Sequence, residues 1–471
     1  MNIKKSLYLI ITFFLLAIML YSNIKGITYN CFHATDFSIY QQAIYEIADS
    51  WNFNPYLTIR NIKIFNDHFD PILILAAPIA YFSNYNPISL IIFEFLWFLI
   101  IFLFLYRKEK NNKNIGFFFI IVLFTKGLLS GIEFPIHPST WAMFPSFLLG
   151  HYILKENRQG IIFSALSLLL FRESFAFGVF ALGFFYALKR NWQLSLPLIL
   201  VSMANIIFVF FLRAYFLGET YSYSSAVFSD LPFKIFLKFD YIAFFKVFYP
   251  FFIPLFFIFK KAYKSKQLLT NELGLLVYLS PLLLIFVLTN KIHFHYGAQI
   301  VAPLLALMFF SEFRPAWADN RKTLTITTLL FFLSGMSIHT KFFKNSFLSK
   351  NSKCEIDHRK LSSIEKLKTI FHRDSGDILS TGGAIPSLLK PGIKFYQAGM
   401  FSKVLKKYDY LILEKPGTGN YYPYSNKVIK KTMVDCQYDN VLLNDHWFML
   451  IKSPKDNCIK PLITNWKIRT N

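Results

Sequence analysis

Long apolar blocks, rather than alternating or 3.6-residue patterns, dominate the first 341 residues of the chain. A helix needs about 20 consecutive apolar residues to cross the roughly 30 Å hydrocarbon core of a bilayer. Blocks that reach or approach this length are 6–26, 87–105, 115–131, 138–154, 192–217, 241–259, 268–290, 295–313 and 323–341. The pattern therefore predicts a mainly α fold, with a polytopic helical membrane domain over residues 1–341.

One further apolar block, residues 160–188, carries Arg172 and Glu173 near its middle. As a single helix it would be about 44 Å long, which exceeds the bilayer core. Both of its flanks are basic and are expected in the cytoplasm, so two short spans that meet at the charged pair are the simplest solution. This raises the expected number of spans to about eleven, and it places Arg172 and Glu173 below the outer surface, in a cavity. The apolar segment 71–82 is too short to span and is interpreted as an interfacial or re-entrant helix.

Basic residues set the orientation of these spans, because short cytoplasmic loops attract Lys and Arg. The clusters assigned to the cytoplasm are Lys4-Lys5, Arg107 to Lys113, Lys155 with Arg158, Lys189-Arg190, Lys260 to Lys266, and Arg314 to Lys322. The N-terminus is then cytoplasmic, whereas the polar loop 27–70 and the tail 342–471 are extracytoplasmic. The first apolar block is not followed by the small residues of a signal-peptide cleavage site, so we interpret it as an uncleaved membrane anchor.

Composition agrees with this topology. The chain is 54% hydrophobic and has a formal net charge of +23. Such a charge could indicate nucleic-acid binding, but Lys and Arg fall mostly in short clusters between apolar blocks. Membrane lipids are therefore the expected partner, nucleic acid is excluded, and the bacterial cytoplasmic membrane is the expected location.

The tail is polar and basic, and short apolar stretches within it predict strands. These stretches are Ile378-Leu379, Lys394 to Tyr396, Tyr410 to Leu413 and Trp447 to Ile451. With turn or helical segments between them, they predict a small extracytoplasmic α/β domain over residues 342–471. Its basic surface either contacts anionic headgroups or an acidic polymer, or is merely solvated. Cys31, Cys354, Cys436 and Cys458 all fall in segments predicted to lie outside; a disulfide between Cys436 and Cys458 is plausible, although the pairing stays open.

Polar residues that could carry chemistry collect on the outer side of the predicted membrane domain. Asp36 is a candidate general base or metal ligand, or else the cap of a helix that begins at Phe37. Arg172 and Glu173 are functional candidates because charges at membrane depth are costly, although an ion pair that only fixes the hairpin is the alternative. Further candidates for substrate binding are Gln42, Arg60, His68, His137, His295 and Tyr296. The histidines lack a compact metal-ligand spacing, so no metal site and no cofactor are predicted, and a divalent cation is left open.

Several short motifs occur in a recognisable order. They are Asp36 to Ala43, His68 to Leu73 followed by Pro78, Ile136-His137-Pro138, Arg172-Glu173-Ser174, and His295-Tyr296 followed by Pro303, with a tail segment from Ile378 to Glu414. Together they resemble the pattern of family 2079 of domains of unknown function, whose members are predicted to be GT-C type glycosyltransferases. In that pattern, acidic residues usually stand at the places of Gln41 and Ser174. Their absence here argues against a metal site built from several carboxylates.

The resemblance implies transfer of a sugar from a polyprenyl-phosphate donor to an extracytoplasmic glycan, lipid or protein acceptor. Asp36 would activate the acceptor hydroxyl, and Arg172, with Arg60 or His295, would stabilise the departing lipid phosphate. His68, His137 and Glu173 would position sugar hydroxyls. The alternatives are a transporter or flippase of a lipid-linked substrate, which would show internal repeats and midplane sites, and a non-catalytic membrane scaffold.

Overall fold

The computed structural model describes residues 3–30, 34–217, 240–265, 271–288, 296–347, 358–371, 376–381, 385–398, 407–415, 424, 426–437 and 439–464. These residues are mostly helical and also form a small C-terminal sheet. They divide into two compact units. The first contains Met1–Ala17, Phe65–Ile72 and Glu94–Thr340, and the second contains Ile18–Ile64, Leu73–Phe93 and Lys341–Asn471.

Apolar helices account for most of the fold. In chain order the α-helices are Ile3–Thr28, Ala34–Ser50, Ile64–Asp67, Ala77–Phe82, Pro87–Glu109, Ile115–Leu123, Lys126–Glu133, Pro138–Trp141, Met143–Leu154, Arg158–Leu168, Ser174–Leu188, Trp192–Ile207, Arg213–Leu217, Tyr241–Phe248, Phe252–Lys264, Asn271–Leu288, Gly297–Phe310, Pro315–Ala318, Arg321–Phe347, His358–Phe371, Asn426–Asp435 and Asp456–Thr464. Short 3₁₀ segments occupy Pro71–Leu75 and Tyr249–Phe251, and a π-helical turn occupies Phe208–Leu212.

Four helices in the described part of the chain are long and apolar enough to cross a membrane. They are Leu7–Thr28, Pro87–Glu109, Trp192–Leu212 and Arg321–Lys344. The pair Ile115–Leu123 and Lys126–Glu133, bent by 48° at its break, would add a fifth. Thr125 lies at that break and donates its hydroxyl to Ile121 O at 2.6 Å, a back-bond that often bends helices. The prediction of an integral membrane protein is confirmed at this level.

The predicted break in the block 160–188 is also confirmed. The helix Arg158–Leu168 ends before the charged pair, and the helix Ser174–Leu188 begins directly after it. The first of these helices is capped by the side chain of Asn157, which accepts a hydrogen bond from Gly160 N at 2.7 Å. Residues 169–173 therefore connect two separate apolar helices.

A five-stranded sheet forms the centre of the tail. Its strands are β3 (Asp377–Ser380), β4 (Lys394–Gln397), β5 (Tyr410–Glu414), β6 (Asn440–Asn444) and β7 (Phe448–Lys452), whereas β1 (Tyr56–Leu57) and β2 (Ile62–Lys63) form a separate hairpin. The order is β4-β3-β5-β7-β6, in which the first three strands run parallel and β7 is antiparallel to both of its neighbours. Four strands lie where the sequence predicts them. The strands β1, β2 and β6 were not predicted, and the half-exposed edge position of β6 explains its weak apolar pattern.

The helices Asn426–Asp435 and Asp456–Thr464 cover one face of this sheet. Ile429 and Leu462 on these helices belong to the same buried cluster as Leu411 and Met449 of the strands. A disulfide between Cys436 and Cys458 joins the two helical regions, and this settles a pairing that the sequence left open. Cys31 and Cys354 lie outside the described residues.

Residues 27–64 of the first polar loop belong to the same compact unit as the tail. Gln41 donates its amide to Pro386 O at 2.7 Å, and Thr58 donates its hydroxyl to Phe395 O at 2.7 Å. Both bonds are buried, so they fix the loop to the backbone around β4. The helix of this loop begins at Ala34, three residues before the predicted start, and this places Asp36 in its first turn instead of at the cap.

Candidate functional site

Four buried polar side chains meet in the first unit: His68, Arg172, Glu173 and Tyr296. Arg172 and Glu173 come from the break between the helices Arg158–Leu168 and Ser174–Leu188, and His68 comes from the polar segment before Pro71. Tyr296 directly precedes the helix Gly297–Phe310. We refer to these four residues as the arginine cluster.

Arg172 occupies the centre of the arginine cluster, with 5% of its surface exposed. Its guanidinium carbon lies 4.7 Å from the centroid of the Tyr296 ring, and its Nη2 lies 3.4 Å from the Tyr296 hydroxyl. A guanidinium over an aromatic face gains cation–π attraction, and this gain grows when the pair is removed from water. The aromatic ring therefore helps to hold the positive charge of Arg172 inside the buried polar cluster.

His68 lies between Arg172 and Glu173. Arg172 Nη2 is 2.5 Å from His68 Nε2, and His68 Nδ1 is 3.3 Å from Glu173 Oε1. Arg172 Nη2 also lies 2.9 Å from His68 Nδ1, so the guanidinium is within hydrogen-bond distance of both ring nitrogens. Because a carboxylate only accepts, the hydrogen bond with Glu173 places a proton on Nδ1 and leaves Nε2 as the acceptor for Arg172. Burial, together with the positive charge of Arg172, lowers the pKa of His68 below its ordinary value.

Glu173 binds the polar segment more closely than it binds its neighbour in sequence. Its Oε2 accepts a hydrogen bond from Phe69 N at 3.2 Å, whereas the distance from Glu173 Oε1 to Arg172 Nε is 3.9 Å. The predicted partnership between Arg172 and Glu173 is therefore present but loose. The Nη2 of Arg172 contacts His68 and Tyr296, while its Nε forms the longer ion pair with the carboxylate.

A second buried arginine, which the sequence analysis missed, reaches the same polar segment. Arg213 is 1% exposed, and its Nη1 donates to Phe65 O at 2.6 Å. A sequence signal was present, because Arg213 is the one charged residue in the apolar block 192–217 and charges inside such blocks are expensive. The π-helical turn Phe208–Leu212 directly precedes it, and such turns often occur at functional sites. Asp67 and Asp70, also buried, lie on the same segment.

The other predicted site residues are distributed differently. His137 is buried in the first unit, and its Nδ1 lies 3.0 Å from Phe134 O. Gln42 and Arg60 belong to the second unit, where Gln42 bridges Thr58 Oγ1 and the backbone N–H of Ile59. His295 and the side chain of Asp36 lie outside what the structure describes. The arginine cluster thus contains four of the predicted residues.

Arg172 is the cationic member of the arginine cluster, and three buried acids lie next to it or on the segment of His68: Glu173, Asp67 and Asp70. Within the described residues, no group of three or more His, Cys, Asp or Glu side chains converges as a metal ion would require. Arg172 instead offers a permanently charged donor fork, which matches the oxygen geometry of a phosphate. Tyr296 adds a hydroxyl that can donate to the same group.

Residues 30–372 match the model of a family described as "Predicted membrane protein (DUF2079)". No curated protein and no solved structure matches the chain.

Proposed function

The chain belongs to the DUF2079 family of predicted membrane proteins, and from this premise we propose that it is a glycosyltransferase that uses a polyprenyl-phosphate sugar. The observation that carries the proposal is the buried guanidinium of Arg172, held by Tyr296 and His68 at a break between two apolar helices. A fixed cation in an apolar surrounding stabilises a phosphate far more than one in water, because the low dielectric strengthens the attraction.

The proposed topology is the one expected from the sequence. It has about eleven spans, with the N-terminus in the cytoplasm of a bacterium and the domain 342–471 on the extracytoplasmic side. By length and composition, four described helices and one bent helix pair could each cross a membrane. The further spans of this proposal would come from shorter apolar helices such as Ser174–Leu188, Asn271–Leu288 and Gly297–Phe310. The acceptor would then be a glycan, lipid or protein outside the cytoplasmic membrane.

In the proposed reaction the bond between the sugar C1 and the lipid phosphate oxygen breaks, and a bond forms between C1 and the acceptor oxygen. The electron pair of the broken bond goes to the phosphate, whose increased negative charge Arg172 stabilises. The acceptor loses its proton to a carboxylate, which we assign to Asp36 from the sequence motif alone. Glu173 and His68 would hold sugar hydroxyls, and a sugar centre with oxocarbenium character develops between the two oxygens.

The test is binding of polyprenyl phosphate to the protein in lipid nanodiscs, followed by native mass spectrometry. The variants are Arg172→Gln, which removes the charge, and Arg172→Lys, which keeps it without the planar fork. Arg158→Gln is the matched control, because Arg158 is exposed and contacts only Gln193 among its described hydrogen-bond partners. We expect binding to fall at least about tenfold in Arg172→Gln, less in Arg172→Lys, and not in the control, since charge-assisted bonds contribute roughly 1.5–3 kcal/mol.

One observation favours a second function. Charged residues at a break between apolar helices also mark the substrate sites of secondary transporters. Reconstituted protein that moves a lipid-linked sugar between leaflets, with no acceptor-dependent loss of the sugar, would support a flippase. Equal binding of polyprenyl phosphate by wild type and Arg172→Gln would contradict both lipid-phosphate functions.

A further inference from the structure

A cavity of about 410 Å³ lies in the second unit, at a distance in sequence from the arginine cluster. Its wall includes Ile27 and Thr28, where one candidate span ends, and Pro87 and Ile88, where another begins. The helix His358–Phe371 of the tail supplies a further wall. Because spans end at the boundary between hydrocarbon and headgroups, a cavity at the ends of these two candidate spans would lie at headgroup depth. We refer to it as the span-end cavity.

Exposed aromatic residues beside the span-end cavity support this depth. Tyr81 is 57% exposed and Phe82 is 83% exposed, and both lie within three residues of Asn84 in the cavity wall. Exposure of a whole Phe ring to water is unfavourable, whereas aromatic rings are enriched at the membrane–water boundary. The segment therefore has the character of a surface that contacts the interfacial region of a bilayer.

The span-end cavity also carries a positive charge. Lys368 and Lys390 belong to its wall, together with one acidic residue, Glu365. Lys368 Nζ lies 2.5 Å from Glu365 Oε1, but both side chains are exposed, and exposed pairs of this kind contribute little free energy. The lysine can therefore exchange the carboxylate for a ligand at low cost, and Lys390 adds a second exposed ammonium.

Apolar and neutral polar groups complete the wall. Leu361, Phe371 and Ile393 provide hydrocarbon surface next to the lysines. Ser387 places a buried Oγ in the wall that has no hydrogen-bond partner among the described residues. A ligand that satisfies all of these groups carries an anionic head with hydroxyl or phosphate oxygens and an attached apolar chain. The volume lies within the range of small-molecule sites, about 300–1,000 Å³.

We propose that the span-end cavity binds the phosphate headgroup and adjoining acyl chain of an anionic phospholipid from the outer leaflet. Lys368 and Lys390 contact the phosphate, Ser387 donates to an oxygen of the headgroup, and Leu361 and Phe371 pack against the chain. The lipid would thereby join the tail to the ends of two spans. The proposal does not depend on the transfer reaction, because none of these residues belongs to the arginine cluster.

The experiment measures retention of phosphatidylglycerol, with phosphatidylcholine as the reference lipid, by native mass spectrometry of the full chain. The double variant Lys368→Ala/Lys390→Ala removes both charges. The control Lys430→Ala/Lys431→Ala removes two exposed lysines from another helix of the same tail. A third variant, Ser387→Phe, fills the cavity without changing the charge. The expected loss of phosphatidylglycerol affinity is roughly 30-fold in the double variant, because each lysine near an anionic surface contributes a factor of about five.

Each outcome decides the proposal. Loss of phosphatidylglycerol in the double variant and in Ser387→Phe, with retention in the control, supports it. Equal loss in the control pair would overturn it, because general surface charge would then explain the binding. Displacement of the lipid by inorganic phosphate at equal concentration would also overturn it, because the site would then select the ion. Arg172→Gln should retain phosphatidylglycerol even if it loses polyprenyl phosphate, which separates this inference from the proposed function.

Discussion

Glu173 accepts a hydrogen bond from the backbone N–H of Phe69 at 3.2 Å. This bond connects residues 169–173, which lie between two apolar helices, to the polar segment before Pro71. The same carboxylate lies 3.3 Å from His68 Nδ1. One buried acid thus satisfies two donors of that segment, and it leaves the adjacent guanidinium oriented toward His68 and Tyr296. The acid has a positioning role for the arginine cluster.

Replacing this carboxylate should destabilise the fold. Glu173→Ala leaves the Phe69 N–H and the His68 ring without their acceptor, and breaking a buried charged network costs about 3 kcal/mol. Glu173→Gln keeps one acceptor oxygen and should cost less. The measurement is the thermal midpoint of the protein in nanodiscs, with Glu156→Ala, an exposed partner of Lys189, as the control. A midpoint for Glu173→Ala equal to that of the control would refute the positioning role.

The stability of the protein should fall in mild acid because of His68. Burial and the charge of Arg172 lower the pKa of its folded state below 6.5, so the unfolded chain binds the proton more readily. Its contribution is therefore fully present above about pH 6.5 and is lost as the pH falls toward the lowered folded value. We expect the thermal midpoint of wild type to drop more between pH 7.5 and 5.5, about the range of histidine titration, than that of His68→Gln. His446→Gln, at an exposed position of the tail, should behave as wild type. If the thermal midpoints of all three proteins depend equally on pH, His68 is not the cause of the loss of stability in acid.

The sequence predicts local features of this protein well. The break at Arg172-Glu173 and the strands β3, β4, β5 and β7 follow from apolar length, charge and β propensity, which act over a few residues. The bond between Gln41 and Pro386 joins residues 345 positions apart, and no local pattern encodes it. Arg213 was missed because one charge at the end of a long apolar block resembles an ordinary flanking residue. Burial is what distinguishes it.

A close helix approach should make Gly335 intolerant of a side chain. A Cβ at this position would lie 2.5 Å from Phe124 O and 2.8 Å from Phe124 Cα, and a backbone at the break between two helices cannot move cheaply. Gly335→Ala should therefore destabilise the protein by about 2 kcal/mol, although alanine favours helices. The control is Ser337→Ala, because Ser337 is exposed on the same helix. The thermal midpoints of the two variants are compared with that of wild type. Stabilisation by Gly335→Ala would show that the approach is looser than described.

The disulfide between Cys436 and Cys458 should stabilise the tail. It closes a segment with a sequence separation of 22 residues, for which the loss of chain entropy in the unfolded state is about 3 kcal/mol. Cys436→Ser/Cys458→Ser should therefore increase the rate at which a protease cleaves the tail of the membrane-embedded protein. Peptide mapping without reduction checks the pairing directly. If the cleavage rate is unchanged although the disulfide has been lost, the apolar core of the tail, and not the disulfide, accounts for its stability.

The hydrogen bond of Gln41 explains why an ionised carboxylate would not serve at this position. Its amide donates to Pro386 O at 2.7 Å in a buried setting, and an ionised carboxylate has no proton to donate. Gln41→Glu would place a negative charge against a carbonyl oxygen, so we expect faster hydrogen exchange in residues 385–398 at neutral pH. A protonated Glu can donate again, so the effect should shrink as the pH falls toward about 5. Ser50→Glu adds the same charge at the exposed end of the same helix and should leave this exchange unchanged. The comparison is made with wild type at each pH. If exchange in Gln41→Glu is faster than in wild type at every pH, the shape of the amide, and not its proton, holds the first polar loop to the tail.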